Sequence, residues 1–376
     1  MKKIFNDTNV AFKNQTDASL RHKILFYKSI IKTPNLSSIT RTFRHRVFEM
    51  FYGGSSINNC LENISKLYQC KIHTVLDYTI YTEDDIKIFD EMVNRILSQI
   101  DYASDHKEVP FVVCKPSTLG QRKIFEKVSL DQKLSVAEGD LWNQTIIRFH
   151  KLCSYAHEKK VPIFFEAEES WIQQASDSVV YYMMGHYNIE ETIIYNTVQL
   201  YFKDSFEKLL AREKEAVKCG YKIGLKFVRG AFLDDEKRFA LSNQLPISVF
   251  KSKREVDQNY NDTLKHFAKS SISSLVIASH NEDSLYIFMQ FMEKLGIPKY
   301  SSKVWFLQLF GLADNISYNL SLNSYNVAKY MPYGPMKEVA PYMIDRAVEN
   351  GFIKEQAVRE KEIIEFEQGR RKGKII

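Results

Sequence analysis

The sequence predicts an α/β fold, an eight-stranded (β/α)8 barrel of the TIM type with a helical arm ahead of it. Three observations carry this expectation. Eight short apolar runs recur along the 376 residues. Each is β-branched or aromatic and closed by a polar residue or glycine, as strands buried on both faces should be. Longer amphipathic segments separate them, which is the alternation of a parallel sheet wrapped by helices. Titratable and amide side chains gather where the runs end, and barrel enzymes keep their sites there. A doubly wound open sheet is the alternative that the same alternation allows.

In chain order, the first seventy residues read as helices and form an arm (1–70) before a barrel over 71–376. The strand runs are IHTVLDY (72–78), PFVVCK (110–115), VPIFFEAE (161–168), TIIYNTVQ (192–199), KIGLKFVRG (222–230), SSLVIASH (273–280), KVWFLQL (303–309) and YNVAKYMPYG (325–334). Between them lie helical stretches such as EDDIKIFDEMVNRILSQI (83–100), FEKLLAREKEAVKCG (206–220) and DSLYIFMQFMEKLG (283–296). The last two end in glycine, which closes helices by turning left-handed. Residues 353–372, rich in Glu, Arg and Lys, read as a closing helix.

Composition excludes several classes of function. Hydrophobic residues at 44% and charged residues at 26% are ordinary for a globular protein. The net charge of +6 is not gathered into a long basic block, except at Arg370-Arg371-Lys372-Gly373-Lys374. That tail reads as a solvated helix end, with attraction to an anionic membrane surface as the alternative. The aromatics do not interleave with arginines as a nucleic-acid surface would, so no nucleic-acid partner is expected. Five dispersed cysteines without a CxxC pair argue against a disulfide framework and a zinc site, and suit a reducing compartment. The start MKKIFNDTNVAFKNQTD is a poor signal peptide, and no run of 18 apolar residues occurs. These points favour the cytoplasm, with a position peripheral to the inner membrane as the alternative. No GxGxxG, P-loop, HExxH or GxSxG is present, so neither a Rossmann-held dinucleotide, a metal nor a serine elbow is expected.

The polar residues at the run ends are Asp77, Lys115, Glu166, Glu168, Gln199, Lys226, Arg229, Ser279, His280, Asn281 and Gln308. In K-F-V-R-G-A-F (226–232), alternation puts Lys226 and Val228 on one face and Phe227 and Arg229 on the other. Gly230 would let a ligand approach the backbone closely. The structural alternative for this strand end is a salt bridge to Glu166 or Glu168. In A-S-H-N-E-D-S (278–284), Asn281 or Ser279 can cap the following helix, whose N–H groups suit phosphate. His280 is either a ligand contact or a structural histidine.

Taken in order, K-F-V-R-G-A-F (226–232), S-H-N-E-D-S (279–284), Q-L-F-G-L-A-D-N-I-S (308–317) and K-Y-M-P-Y-G-P (329–335) resemble the proline dehydrogenase family. F-N-D-T-N-V-A-F-K (5–13) and V-L-D-Y (75–78) resemble its N-terminal segment and first strand. The resemblance covers essentially the whole chain. It implies a distorted (β/α)8 barrel holding FAD, which oxidises L-proline to Δ1-pyrroline-5-carboxylate by hydride transfer to flavin N5, as the first step of proline catabolism. A quinone or other acceptor would then take the electrons. By position, Gln199 resembles the amide that bonds the isoalloxazine, and Lys226 stands where the family places a cation near N5. Arg229, Gly230 and Ala231 resemble the flavin contact with a cation for the diphosphate. Ser279 and His280 match the Thr-His pair of the sixth strand, with Asn281 next to them.

The substrate half departs from the family. Lys115, Tyr330 and Tyr342 are retained. The eighth helix of the family carries Tyr-x-x-Arg-Arg-x-x-Glu, whose two arginines clamp the substrate carboxylate. Here the run is Tyr342-Met343-Ile344-Asp345-Arg346-Ala347-Val348-Glu349. Arg346 and Glu349 remain, the latter on the cofactor side, but Asp345 replaces the first arginine. Glu166-Ala167-Glu168 stands for Asp-Ala-Glu, Phe232 for a tyrosine and Tyr81 for a gating glutamate. If Asp345 faces the substrate, the lost charge-assisted bond costs roughly 2–5 kcal/mol of binding. The resemblance therefore leaves three outcomes: proline oxidation with Lys226 and Glu166 as catalytic groups, oxidation of hydroxyproline or another cyclic or N-alkyl amine, and a flavin-binding protein that has lost proline activity.

Overall fold

In the computed structural model of the chain, the residues described are 2–13, 15–32, 51–79, 86–339 and 353–373. Tyr81, Tyr342, Asp345, Arg346 and Glu349 lie outside them. Eight strands form a closed barrel in chain order. They are β1 (His73–Tyr78), β2 (Phe111–Cys114), β3 (Ile163–Phe165), β4 (Ile194–Gln199), β5 (Ile223–Val228), β6 (Ser273–Ala278), β7 (Val304–Leu309) and β8 (Val327–Tyr333). The barrel expectation holds, and the open-sheet alternative falls. Every apolar run contains its strand, although several runs extend past it. In VPIFFEAE only Ile163–Phe165 is ladder, yet the Glu166 N–H still donates to Cys114 O at 2.9 Å.

Helix ends follow local chemistry. Ser135 with Glu138 and Ser252 with Glu255 form reciprocal capping boxes at the starts of Val136–Lys159 and Lys253–Phe267. Gly220 ends Ser205–Cys219 in the left-handed conformation (φ 74°). Gly296 (φ 67°) lies one residue past the cap of Glu282–Lys294 and receives the same role.

Contacts divide the chain into two compact units. Unit 1 comprises Met1–Ile80, Ser279–Ser301 and Trp305–Ile376; unit 2 comprises Tyr81–Ala278 and Ser302–Val304. In unit 2 strand alternation sorts the side chains. Phe165 stacks on Phe149 of the helix Val136–Lys159 at 5.0 Å, and Phe227 meets Phe267 of Lys253–Phe267 at 5.8 Å. Those positions face helices. The alternate set turns to the barrel interior, where Phe111, Phe164 and Tyr195 pack ring on ring at 4.4 and 5.4 Å. Because Asn196 pairs with Leu225 and Thr197 with Lys226, Thr197, Lys226 and the next residue of β3, Glu166, occupy one interior row.

In unit 1 the N-terminal helix Asp17–Lys32 packs on the closing helix Ile353–Arg371. Their apolar contact contains Leu20, Ile24, Tyr27, Ala357, Ile363 and Ile364. Two residues of the basic tail, Arg370 and Arg371, are engaged in ion pairs, whereas Lys372 is exposed. Arg370 and Arg371 both bind the buried Glu367, at 2.8 and 2.7 Å. Arg371 also reaches Phe12 O at 2.7 Å, Gln15 O at 2.9 Å and Asp17 at 2.8 Å, and Arg370 reaches Asn9 at 3.1 Å. Burial alone would raise the Glu367 carboxyl, but the hydrogen bonds from the two arginines hold it below its ordinary value. These charges staple the two ends of the chain together.

Candidate active site

At the strand ends of unit 2, three polar constellations stand on β3, β4 and β5. In the interior row, Lys226 Nζ ion-pairs with Glu166 Oε1, with the ammonium 5.5 Å from the centre of the Phe164 ring. Thr197 Oγ1 donates to the second Glu166 oxygen at 3.4 Å. The lysine side chain is 4% exposed and the glutamate 14%. Of the two salt-bridge partners offered by the sequence, the structure selects Glu166.

Glu168 belongs to a different group. It accepts from Ser117 N at 2.8 Å and Ser117 Oγ at 2.5 Å, and Arg122 lies 3.3 Å away. Burial raises its carboxyl despite these donors. Its own carbonyl accepts from Gln199 Nε2 at 2.8 Å, while Gln199 Oε1 accepts from Ala231 N at 3.1 Å. Two backbone groups thus fix both ends of one amide. Lys115 is half-buried just past β2, where its carbonyl anchors the turn Pro116–Thr118.

Past β5, Arg229 points toward the helices, as alternation requires. Its Nε meets Asp257 Oδ1 at 2.7 Å and its guanidinium lies 4.3 Å from the Tyr260 ring centre. Lys253 binds the other Asp257 oxygen at 2.7 Å. Burial opposes ionisation of Asp257, but the two cations outweigh it and lower its pKa. Two cations on one carboxylate leave a net positive charge, which suits an anionic group. Gly230 meets a close neighbour within the fold. It has φ +138°, and a Cβ there would lie 2.5 Å from Tyr201 Cγ. The Tyr201 ring fills the side of this backbone where a Cβ would lie.

In unit 1, Asn281 is the cap of Glu282–Lys294, accepting from Ser284 N at 3.0 Å, and Ser279 Oγ accepts from Asn281 N at 3.1 Å. One helix N–H is thereby consumed. Glu282 and Asp283 put two carboxylates in the first turn, and Arg359 pairs with Glu282 at 3.0 Å. His280 Nε2 accepts the Leu309 N–H at 3.0 Å, so the neutral ring carries its proton on Nδ1. Gln308 links the Ser279 carbonyl (3.2 Å) to Ser317 Oγ (2.9 Å). Tyr330 is buried on β8 at the level of Val75 and Leu309.

Sequence reasoning missed Asp257, Tyr201 and Asp314. Asp257 had a signal in its four-residue spacing from Lys253 on one helix face. Asp314 stands inside the 308–317 block, and Tyr201 had no signal. Among the described residues no cluster of His, Cys, Asp or Glu could hold a metal ion. No described helix is long and apolar enough to cross a membrane.

The family model for proline dehydrogenase matches residues 60–359. The chain is 30% identical over 370 residues to the carbapenem antibiotics biosynthesis protein CarD of Pectobacterium carotovorum, covering 96% of this chain and 95% of that one. It is 30% identical over 262 residues to the mitochondrial proline dehydrogenase 2 of Arabidopsis thaliana, and 33% over 231 residues to proline dehydrogenase 1 of Homo sapiens. Those alignments span 55% and 38% of the two relatives, so about half or less of their length corresponds to this chain. In fold it is similar to proline utilization A of Bdellovibrio bacteriovorus, with a TM-score of 0.74 at 20% identity over 93% of this chain and 36% of that one. The barrel, the ordered blocks and the matched span agree, and the chain belongs to the proline dehydrogenase family of flavin-dependent oxidoreductases.

Proposed function

We propose that the chain oxidises L-proline to Δ1-pyrroline-5-carboxylate with bound FAD and passes the electrons to a quinone or another acceptor. The observation that carries this reading is the donor set at the strand ends of unit 2. It comprises a preset amide at Gln199, a buried ammonium held by Glu166, and a net positive pair at Arg229 and Lys253. That set fits a flavin, whose ring presents hydrogen-bonding edges and whose diphosphate is anionic. Gln199, Lys226, Arg229, Gly230 and Ala231 would hold it, with Ser279, His280, Asn281 and Glu349. Gly230 contributes through its backbone, which the Tyr201 ring supports. When bound, FAD supplies the hydride acceptor.

The chain's own residues then bind and orient. Glu166 fixes the Lys226 ammonium in the interior row, so that its charge needs no rearrangement when the substrate arrives. Lys115 and Arg346 would take the substrate carboxylate, and Tyr330 and Tyr342 would wall the ring. The barrel 71–376 carries the site and the arm 1–70 supports it. Asp345 favours a second substrate, a cyclic or N-alkyl amine less acidic than proline, because an anion beside Arg346 repels a carboxylate. Full-length correspondence with CarD favours a biosynthetic fate for the imine over a catabolic one.

Anaerobic spectroscopy of the purified protein tests the reading. A yellow protein bleached by L-proline is the expected result. Bleaching by another amine but not by proline would transfer the assignment to that amine, and a colourless protein that FAD cannot reconstitute would overturn it. Asp345→Arg should tighten proline binding by about 2 kcal/mol, roughly thirtyfold; unchanged affinity would turn Asp345 away from the substrate.

A further inference from the structure

The N-terminal helix Asp17–Lys32 places a buried lysine into unit 1. Lys23 Nζ contacts Asp314 Oδ2 at 2.7 Å, and Gln15 Nε2 donates to the same oxygen at 2.7 Å. The other Asp314 oxygen takes Lys329 Nζ at 2.9 Å. Lys23, Asp314 and Lys329 are 5%, 7% and 0% exposed. Burial alone would raise the aspartate, yet the two ammonium groups hold it far below the usual carboxylate range. Lys329 spends its remaining donors on the carbonyls of Leu309, at 3.4 Å, and Leu312. All three of its N–H groups are then engaged.

Leu309 is also the residue whose N–H is received by His280 Nε2. Leu309, the last residue of β7, therefore joins the imidazole at its N–H to the lysine of β8 at its carbonyl. A second clamp acts beside Asp314. Glu360 of the closing helix accepts Ala313 N at 2.8 Å and Tyr27 OH at 2.6 Å, and Ala313 holds a left-handed backbone (φ 51°). Tyr27 lies one helical turn after Lys23, so a single face of the arm grips both points.

We infer that Lys23 is a positioning residue for His280, acting through Asp314, Lys329 and the Leu309 peptide to fix the imidazole with its proton on Nδ1. The contact of that Nδ1–H with flavin rests on the reading above; the positioning of the ring does not. Without Lys23, Asp314 keeps Gln15 on one oxygen but has Lys329 as the remaining ammonium of the cluster, which draws that ammonium toward the carboxylate and off Leu309 O. The Leu309 carbonyl then loses the lysine, although it keeps the Leu312 N–H at 3.2 Å, and the ring loses its fixed tautomer.

Ring-nitrogen chemical shifts of His280 test this at mildly alkaline pH, in labelled protein, with the signal assigned by its loss in His280→Gln. Wild type should show a single Nδ1–H tautomer. Lys23→Met should give an averaged signal, and Lys23→Arg should restore the single form, which a merely structural contact would not separate. FAD affinity should fall about two- to thirtyfold in Lys23→Met. Lys329→Met, folded by circular dichroism, should disturb the ring at least as strongly. An unchanged His280 signal in either folded Met variant would overturn the inference. A disturbed ring with unaltered FAD affinity would uphold the positioning and reject the flavin contact of His280 alone.

Discussion

Replacing Glu166 by glutamine removes the carboxylate that faces Lys226 and keeps the shape. The lysine is the more deeply buried partner, at 4% against 14% exposure, and therefore has less access to solvent as a substitute. Breaking a buried ion pair from one side costs about 3–5 kcal/mol. The amide retains an oxygen for Lys226 and Thr197, which places Glu166→Gln near ~3 kcal/mol. Lys226→Met leaves a carboxylate with the Thr197 contact at 3.4 Å and more water, and should cost less, about 2 kcal/mol. The double variant has neither charge to desolvate, so the pair should show a coupling of about 2 kcal/mol. An unfolding entropy of about 2.1 cal/mol/K per residue over 376 residues gives roughly 0.8 kcal/mol/K, so ~3 kcal/mol lowers Tm by about 4 °C. Calorimetric melts of the two single variants and the double measure the cycle. Additive losses, or a Lys226→Met variant less stable than Glu166→Gln, would refute the argument from burial.

Two further outcomes follow from local geometry. Gly230→Ala must place a Cβ against the Tyr201 ring on a backbone with φ +138°, and strain of this kind costs about 1–3 kcal/mol; a melting curve superposable on wild type would show that the ring gives way and would refute the strain. Glu138 is held down to about 2 by Lys127 and by the Ser135 cap, whereas an unfolded glutamate titrates near ~4.3. A depressed carboxyl contributes stability that is present above the unfolded value and lost as pH falls through the folded one. Glu138→Gln keeps the capping box but not the charge, so acid unfolding should become less steep between about pH 4 and pH 2, and an acid limb identical to wild type would exclude Lys127 as its source.

The strands were legible because a parallel strand buried on both faces has no solvent side to interrupt its apolar run. Their ends were less so. Glu166 keeps the interior parity of β3 beyond its last ladder pair, and a parity argument alone continues the strand through Glu168, which instead binds Ser117 and Arg122. Gly230 shows another limit. A glycine after a strand signals a close approach to its backbone, and only the fold shows that the Tyr201 ring makes one such approach. The pairing of the two tail arginines is hidden for a related reason. Glu367 stands three and four residues before Arg370 and Arg371, a spacing visible in the sequence, but the carbonyls of Phe12 and Gln15 that complete the arrangement lie at the other end of the chain.

Charged residues inside the apolar runs mark the boundary most clearly. A lysine in the middle of IGLKFV or VAKYMPY cannot be left in an apolar interior without a counter-charge or acceptors, so the sequence states that Lys226 and Lys329 must have partners. It does not state which. Lys226 finds Glu166 60 residues away, and Lys329 shares Asp314 with Lys23, which is 291 residues from that aspartate. Only closing the barrel and folding back the arm bring those groups together. The candidate flavin contacts on and just after β4, β5 and β6 were nameable because they sit at strand ends, whereas Lys23 lies on an arm helix and meets Asp314 through tertiary contacts. The requirement for a buried partner is thus written locally, and its identity is a property of the fold.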